Sequence, residues 1–267
     1  MKKITFIVAV FAVAFFTSCK GKAPKEKTTQ TKTSYEVYLT SEIKANLDTL
    51  VSAFKKLDKI PMLLHLENGE YELTDKAKKI KPDYLLPIEK AKTLTTRNEK
   101  AAALTMYSVD MKILELYDMA KDEHEALTKK LLIESGLPAV DLKDGKLDQN
   151  ITIEQWYTEC VKTKSLDVMF TALTGALLES LYINIQSIDL ICSAFTDADV
   201  VNTLERLRII NEAVNALIPY HPEMNKLNTV LMPLYGINAV TVKEYKTELL
   251  RLKRDVTTVR EFMLNTK

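Results

Sequence analysis

Apolar residues recur along most of this chain every three or four positions, the period of an α-helix that turns one face to a core. Read against its Gly and Pro punctuation, that period predicts helices at 36–59, 61–67, 86–94, 97–120, 123–135, 152–163, 165–194, 198–218, 222–234 and 242–264. Three threonines stand where helices should begin, each followed three residues later by Glu or Gln: Thr96 with Glu99, Thr152 with Gln155, and Thr241 with Glu244. In such a capping box the Thr oxygen accepts an early amide, and the acid or amide side chain reaches back. Gly136 and Gly236 sit where C-caps belong, and Pro219 with Pro222 interrupts another periodic run. Strand-type alternation is nearly absent, with only Glu70-Tyr71-Glu72-Leu73 reading as a brief extended stretch. The expected fold class is therefore all-α: an antiparallel helical bundle, as one body or as two packed sub-bundles.

Two of these helices carry a carboxylate on an apolar face. In the helix that opens near Arg97, Ala103, Tyr107, Asp110, Leu114 and Tyr117 follow one stripe, while Thr105, Ser108, Lys112 and Glu115 follow the other side. In TALTGALLESLYIN, from Thr171 to Asn184, Ala172, Gly175, Glu179 and Tyr182 share one face, and Phe170, Leu173, Leu177 and Leu181 share a second. A helix apolar on two faces belongs at the centre of a bundle, and Gly175 would admit a close neighbour. A buried carboxylate must be paired, hydrogen-bonded or protonated. Asp110 and Glu179 are thus the catalytic candidates, as an acid/base pair or metal ligands with Tyr107, Tyr117 and Tyr182 as nearby donors. The alternative is an architectural role, with tyrosines or an arginine satisfying them.

The N-terminus follows a different pattern. Lys2 and Lys3 precede a 13-residue apolar run, Ile4 to Phe16. That is too short to span a bilayer and suits a secretory signal. The run ends in Phe16-Thr17-Ser18-Cys19, which resembles the lipobox of bacterial lipoproteins. The resemblance implies lipid transfer to the Cys19 thiol, cleavage before it, and acylation of the new amino group. One acyl chain, at roughly 0.8 kcal/mol per buried methylene, binds a membrane marginally, whereas two or more hold it stably. Lys20 to Ser34 is then a Lys/Thr-rich tether that as a flexible coil reaches roughly 20 Å. An acidic run after the cysteine marks surface export in some relatives. Here Lys20-Gly21-Lys22 follows, which favours a periplasm-facing position.

Charge changes the picture once the tether is set aside. The leader lysines and the tether lysines removed, the body keeps 30 basic against 35 acidic side chains. A mildly acidic body offers no electrostatic footprint for nucleic acid. Of the three histidines, His65 and His221 have no His or Cys at ligand spacing, and the residue three before His124 is Lys121 rather than Glu. No HExxH, glycine-rich phosphate loop or GxSxG elbow occurs, so no metal and no cofactor are expected. The loop Asp141 to Asn150 fails as a calcium loop, because Val140, Leu142 and Ile151 would fall on positions that need oxygen ligands. Cys160 and Cys192 lie in apolar surroundings on separate helices and read as buried thiols, with a disulfide between them the alternative.

The stretches AAALTMYSVDMKILELYDMAKDEHEAL and GALLESLYIN resemble a group of uncharacterised all-helical lipoproteins common in Bacteroidetes. The matched positions are Ala101–Ala103, Tyr107, Asp110 and Tyr117 in the first, and Gly175, Glu179, Leu181 and Tyr182 in the second. The resemblance implies a helical, envelope-anchored protein and supplies no substrate.

These readings divide the chain into a signal peptide (1–18), a lipidated Cys19 with its basic tether (19–35) and a helical domain (36–267). The expected function is that of a membrane-anchored, non-enzymatic binding or structural component of the cell envelope, held by its lipid and engaging an envelope protein. An envelope hydrolase or metal-assisted enzyme built on Asp110 and Glu179 is the first alternative. A carrier of a small apolar ligand between helices is the second.

Overall fold

Twelve α-helices run through the residues described by a computed structural model, namely 38–57, 59–138 and 149–265. The leader, Cys19, the Lys20–Ser34 tether and most of the Asp141–Asn150 loop lie outside them. In chain order the helices are α1 (Ser41–Lys56), α2 (Pro61–Glu67), α3 (Asp75–Lys78), α4 (Arg97–Leu116), α5 (Asp122–Ser135), α6 (Gln149–Thr163), α7 (Leu166–Gln186), α8 (Ile188–Ile191), α9 (Asp197–Leu217), α10 (Met224–Leu231), α11 (Val242–Arg251) and α12 (Lys253–Met263). The class is all-α, and the described residues contain no strand. Glu70 to Leu73 is irregular backbone rather than a β-segment. The described residues cluster as one packed unit, without a division into sub-bundles.

The centre is α7, which packs on α4 most extensively and also on α9, α12, α6 and α11. It is long and apolar enough to cross a membrane, yet 83% of its most apolar window is buried in the bundle, which marks it as a core helix. Gly175 sets its distance from α4. A Cβ there would stand 2.7 Å from the Ala102 carbonyl oxygen and 2.7 Å from Thr105 Oγ1. Ala101, Ala102 and Ala103 present no bulk on the facing helix and are wholly buried. Thr105, expected on the outward side, is buried instead, and its hydroxyl donates to the Ala172 carbonyl at 2.7 Å. The single stripe underestimates α4, because α7 meets it on the Thr105 side and it also packs on α5.

Two of the three capping boxes form as expected, at Thr96 with Glu99 and at Thr241 with Glu244. Thr152 is not a cap: α6 begins at Gln149 and carries it inside the first turn. A box that the Glu/Gln rule passes over opens α9, where Thr196 pairs with Asp199. Gly136 ends α5 in the left-handed conformation, with φ of +66°. Arg97 lies against it and donates to the Ser135 carbonyl at 3.0 Å, a cation placed on the negative end of the helix.

Four predicted helices depart from their expected course where local chemistry intervenes. Ser187 leaves helical geometry between α7 and α8, with its hydroxyl 3.1 Å from that of Tyr84. Leu252 separates α11 from α12 and turns its side chain into the core. The segments Ile88–Thr93 and Met232–Gly236 are 3₁₀ turns that begin beside Pro87 and Pro233 respectively.

Candidate functional site

Asp110 on α4 and Glu179 on α7 meet in the core, and both are wholly buried. Arg260, from α12, clamps Glu179 with two hydrogen bonds of 2.7 Å, from Nε to Oε2 and from the terminal nitrogen to Oε1. Its remaining donor capacity reaches the Tyr84 carbonyl at 3.3 Å, and its guanidinium lies 4.0 Å from the centre of the Tyr182 ring. The fork of a guanidinium matches a carboxylate in plane and charge, so this is a strong form of ion pair. Asp110 receives the Leu86 amide on Oδ2 at 2.9 Å, while Oδ1 has no donor facing it. Burial pushes the Asp110 carboxyl well above its ordinary value, and the charge on Glu179 beside it adds to that. Asp110 therefore keeps its proton to higher pH than an ordinary carboxyl, in a place where it can donate it towards Glu179.

The tyrosines play different parts from those expected. Tyr107 donates its hydroxyl to the Pro87 carbonyl at 2.8 Å, and Tyr182 offers its ring face to Arg260 rather than a proton to a carboxylate. Arg260 escaped the sequence reading because it sits on a C-terminal helix among other basic residues. The whole set is a neutralised cluster joining α4, α7 and α12. Both carboxylates have zero exposure in the bundle.

Protonation of Asp110 makes a pH-dependent prediction. The unfolded chain ionises this group near its ordinary value of 3.8, while the folded chain retains the proton to higher pH. Its contribution to stability is therefore greatest below that value and declines as pH rises through the window up to the folded value. The decline is at most about 1.4 kcal/mol per pH unit. Asp110→Asn mimics the protonated carboxyl and cannot ionise. Urea titrations of both proteins from pH 4 to pH 8 should show the variant gaining on the wild type as pH rises. A constant difference would mean that Asp110 ionises alike in both states.

A cavity of about 380 Å³ lies elsewhere, between the N-terminal ends of α4, α7 and α10 and the C-terminal end of α12. Met224, Leu227, Phe262 and Met263 supply its apolar wall, and Arg97, Asp167, Glu223 and Lys226 its charged groups. Neither Asp110 nor Glu179 lines it. Thr96 and Glu99 of the α4 capping box also border it, so helix starts fix the geometry of this end of the bundle. Beside the cavity stands His221, on the turn between α9 and α10. Its Nδ1 is 3.4 Å from Asp167 Oδ1 and 3.4 Å from Glu223 Oε1, and its Nε2 contacts the Tyr38 hydroxyl. Asp167 is remote from His221 in sequence, which is why ligand spacing alone passed over the group.

The other two histidines lie outside this group. His65 bridges Glu70 and Asp199, at 2.7 and 3.2 Å. His124 is buried in a T-shaped arrangement with Tyr107, and its Nε2 has no hydrogen-bond partner among the described residues. Cys160 and Cys192 are both free and buried, as the apolar reading anticipated, and burial pushes each thiol up to about 11. No family model, curated protein or solved structure matches this chain.

Proposed function

We propose that this is a lipid-anchored, periplasm-facing component of the cell envelope whose helical body binds a small ligand. This takes the ligand-carrier alternative over both the expected envelope-protein partner and catalysis on Asp110 and Glu179. The cavity carries the proposal. Its volume of about 380 Å³ falls in the range of small-molecule sites, and its apolar wall with a few charged groups is their usual make-up. The wholly buried carboxylates weigh against the hydrolase. The anchor rests on the sequence around Cys19: a short apolar run, small residues before the cysteine, and a lysine-rich tether after it.

Ligand and anchor are tested separately. Native mass spectrometry of the protein taken from its own envelope should reveal a retained small molecule, and Leu227→Trp, which fills the cavity, should lose it. A wild-type protein that carries nothing overturns the ligand reading. For the anchor, the chain has three cysteines, and lipidation turns the Cys19 thiol into a thioether. Thiol titration of the denatured membrane-extracted protein should therefore count Cys160 and Cys192 alone, and labelled palmitate should be incorporated unless Cys19 is changed to Ser. A third titratable thiol in the processed protein would overturn the anchor.

A further inference from the structure

We propose that Asp167, His221 and Glu223 bind a divalent transition cation of the zinc type at the edge of the cavity. Each offers one ligand atom, and the three atoms lie within 4.8 Å of one another. The two separations of 3.4 Å from His221 Nδ1 are long for hydrogen bonds. They match the edge of a tetrahedron, which is about 3.3–3.4 Å when metal–ligand bonds are about 2.0–2.1 Å. Two of the three separations therefore already stand as they would around one ion, and the third, between the two carboxylates, lies within 4.8 Å.

The surroundings orient the donors for that purpose. Tyr38 contacts Nε2 from the far side of the ring. When the Tyr38 oxygen accepts the Nε2 proton, the Nδ1 lone pair faces the two carboxylates. A partner on the second ring nitrogen is the usual device that fixes a metal-binding imidazole. Asp167 and His221 have side chains only 12% and 13% exposed, so their positions are set by packing, while Glu223 is 53% exposed and offers an entry path. Two carboxylates around one imidazole leave negative charge that a dication would neutralise.

Donor type narrows the ion. One imidazole and two carboxylates suit zinc, cobalt or manganese better than calcium, which takes six to eight oxygens, or copper(I), which prefers sulfur. Asp167 and Glu223 also line the cavity, so a fourth coordination position would open into it, in the manner of an exchangeable rather than a closed site. The site depends on these side chains alone and would stand even if the cavity held no organic ligand.

Cobalt(II) serves as both ligand and probe. Full-length protein in detergent, stripped with chelator, should take up about one equivalent and show the visible absorption of a four- or five-coordinate ion. His221→Gln and Asp167→Asn should each abolish the spectrum with unchanged circular dichroism. Tyr38→Phe retains all three ligands but frees Nε2, and should weaken uptake by roughly 10- to 100-fold. Absence of stoichiometric uptake by the wild type would overturn the site and needs no variant to fold. So would uptake that persists unchanged in both ligand variants. In the metal-free alternative, the Tyr38 hydroxyl donates to Nε2 and Nδ1–H faces the acids.

Discussion

Replacing Arg260 with methionine should lower stability by about 3–5 kcal/mol, the usual consequence of leaving one partner of a buried ion pair alone. For a domain of this size the melting temperature should then fall by roughly 6–20 °C. The reason lies in the geometry around Glu179. Arg260 supplies both of its strong hydrogen bonds, and burial pushes the neighbouring Asp110 carboxyl well above its ordinary value, towards the neutral form. Without the guanidinium, Glu179 must take up a proton or draw water into the junction of α4, α7 and α12. Methionine preserves much of the stem volume, so the loss reports charge and hydrogen bonding rather than a cavity. Arg260→Lys keeps the charge but not the fork, and should fall between. Changing Glu179 to Gln on top of Arg260→Met should recover part of the loss, because the orphaned charge is then gone. A single variant as stable as the wild type, by thermal melts followed with circular dichroism, would mean that the pair contributes nothing.

The same cluster shows what could be read from residue order and what could not. Periodicity placed Asp110 and Glu179 on apolar stripes, and the bundle does bury them. It also made α7 central, since a helix with two apolar faces has no side for water. Helix faces, however, carry no information about which elements meet. Arg260 comes from a helix 81 residues beyond Glu179, and nothing local to α12 distinguishes it from a solvated cation. His221 with Asp167 poses the same difficulty, since their proximity exists only once α7 and the α9–α10 turn are packed. Helix ends were legible where a capping box or a left-handed glycine acts locally, as at Thr96, Thr241 and Gly136. They were not legible where a buried side chain ends the helix, as Leu252 does, or where a proline tightens it into a 3₁₀ turn.

Enlarging Gly175 should separate the two central helices. Alanine at an unconstrained position inside a helix would gain about 1 kcal/mol over glycine. Here its Cβ would lie 2.7 Å from the Ala102 carbonyl oxygen and 3.0 Å from the Ala102 Cα, distances that real Cβ atoms hardly reach. Those are backbone atoms, so relief requires α4 and α7 to move apart rather than a side chain to rotate. Overpacking of this kind costs typically about 1–3 kcal/mol, and more where the backbone cannot yield. The displacement would also stretch the 2.7 Å bond from Thr105 to Ala172 that links the same two helices. Gly175→Ala should therefore destabilise the protein despite its better helix propensity, and Gly175→Val should do so by about 3 kcal/mol or more. Gly236→Ala is the control, since nothing lies within 4 Å of the added atom, and should shift stability by less than about 0.5 kcal/mol. Thr105→Ala offers a sharper discrimination. It removes one of the two closest contacts but leaves the carbonyl, so it should not restore Gly175→Ala. Full restoration by Thr105→Ala would show that the hydroxyl alone sets the spacing, and a Gly175→Ala protein more stable than the wild type would show that the helices stand further apart.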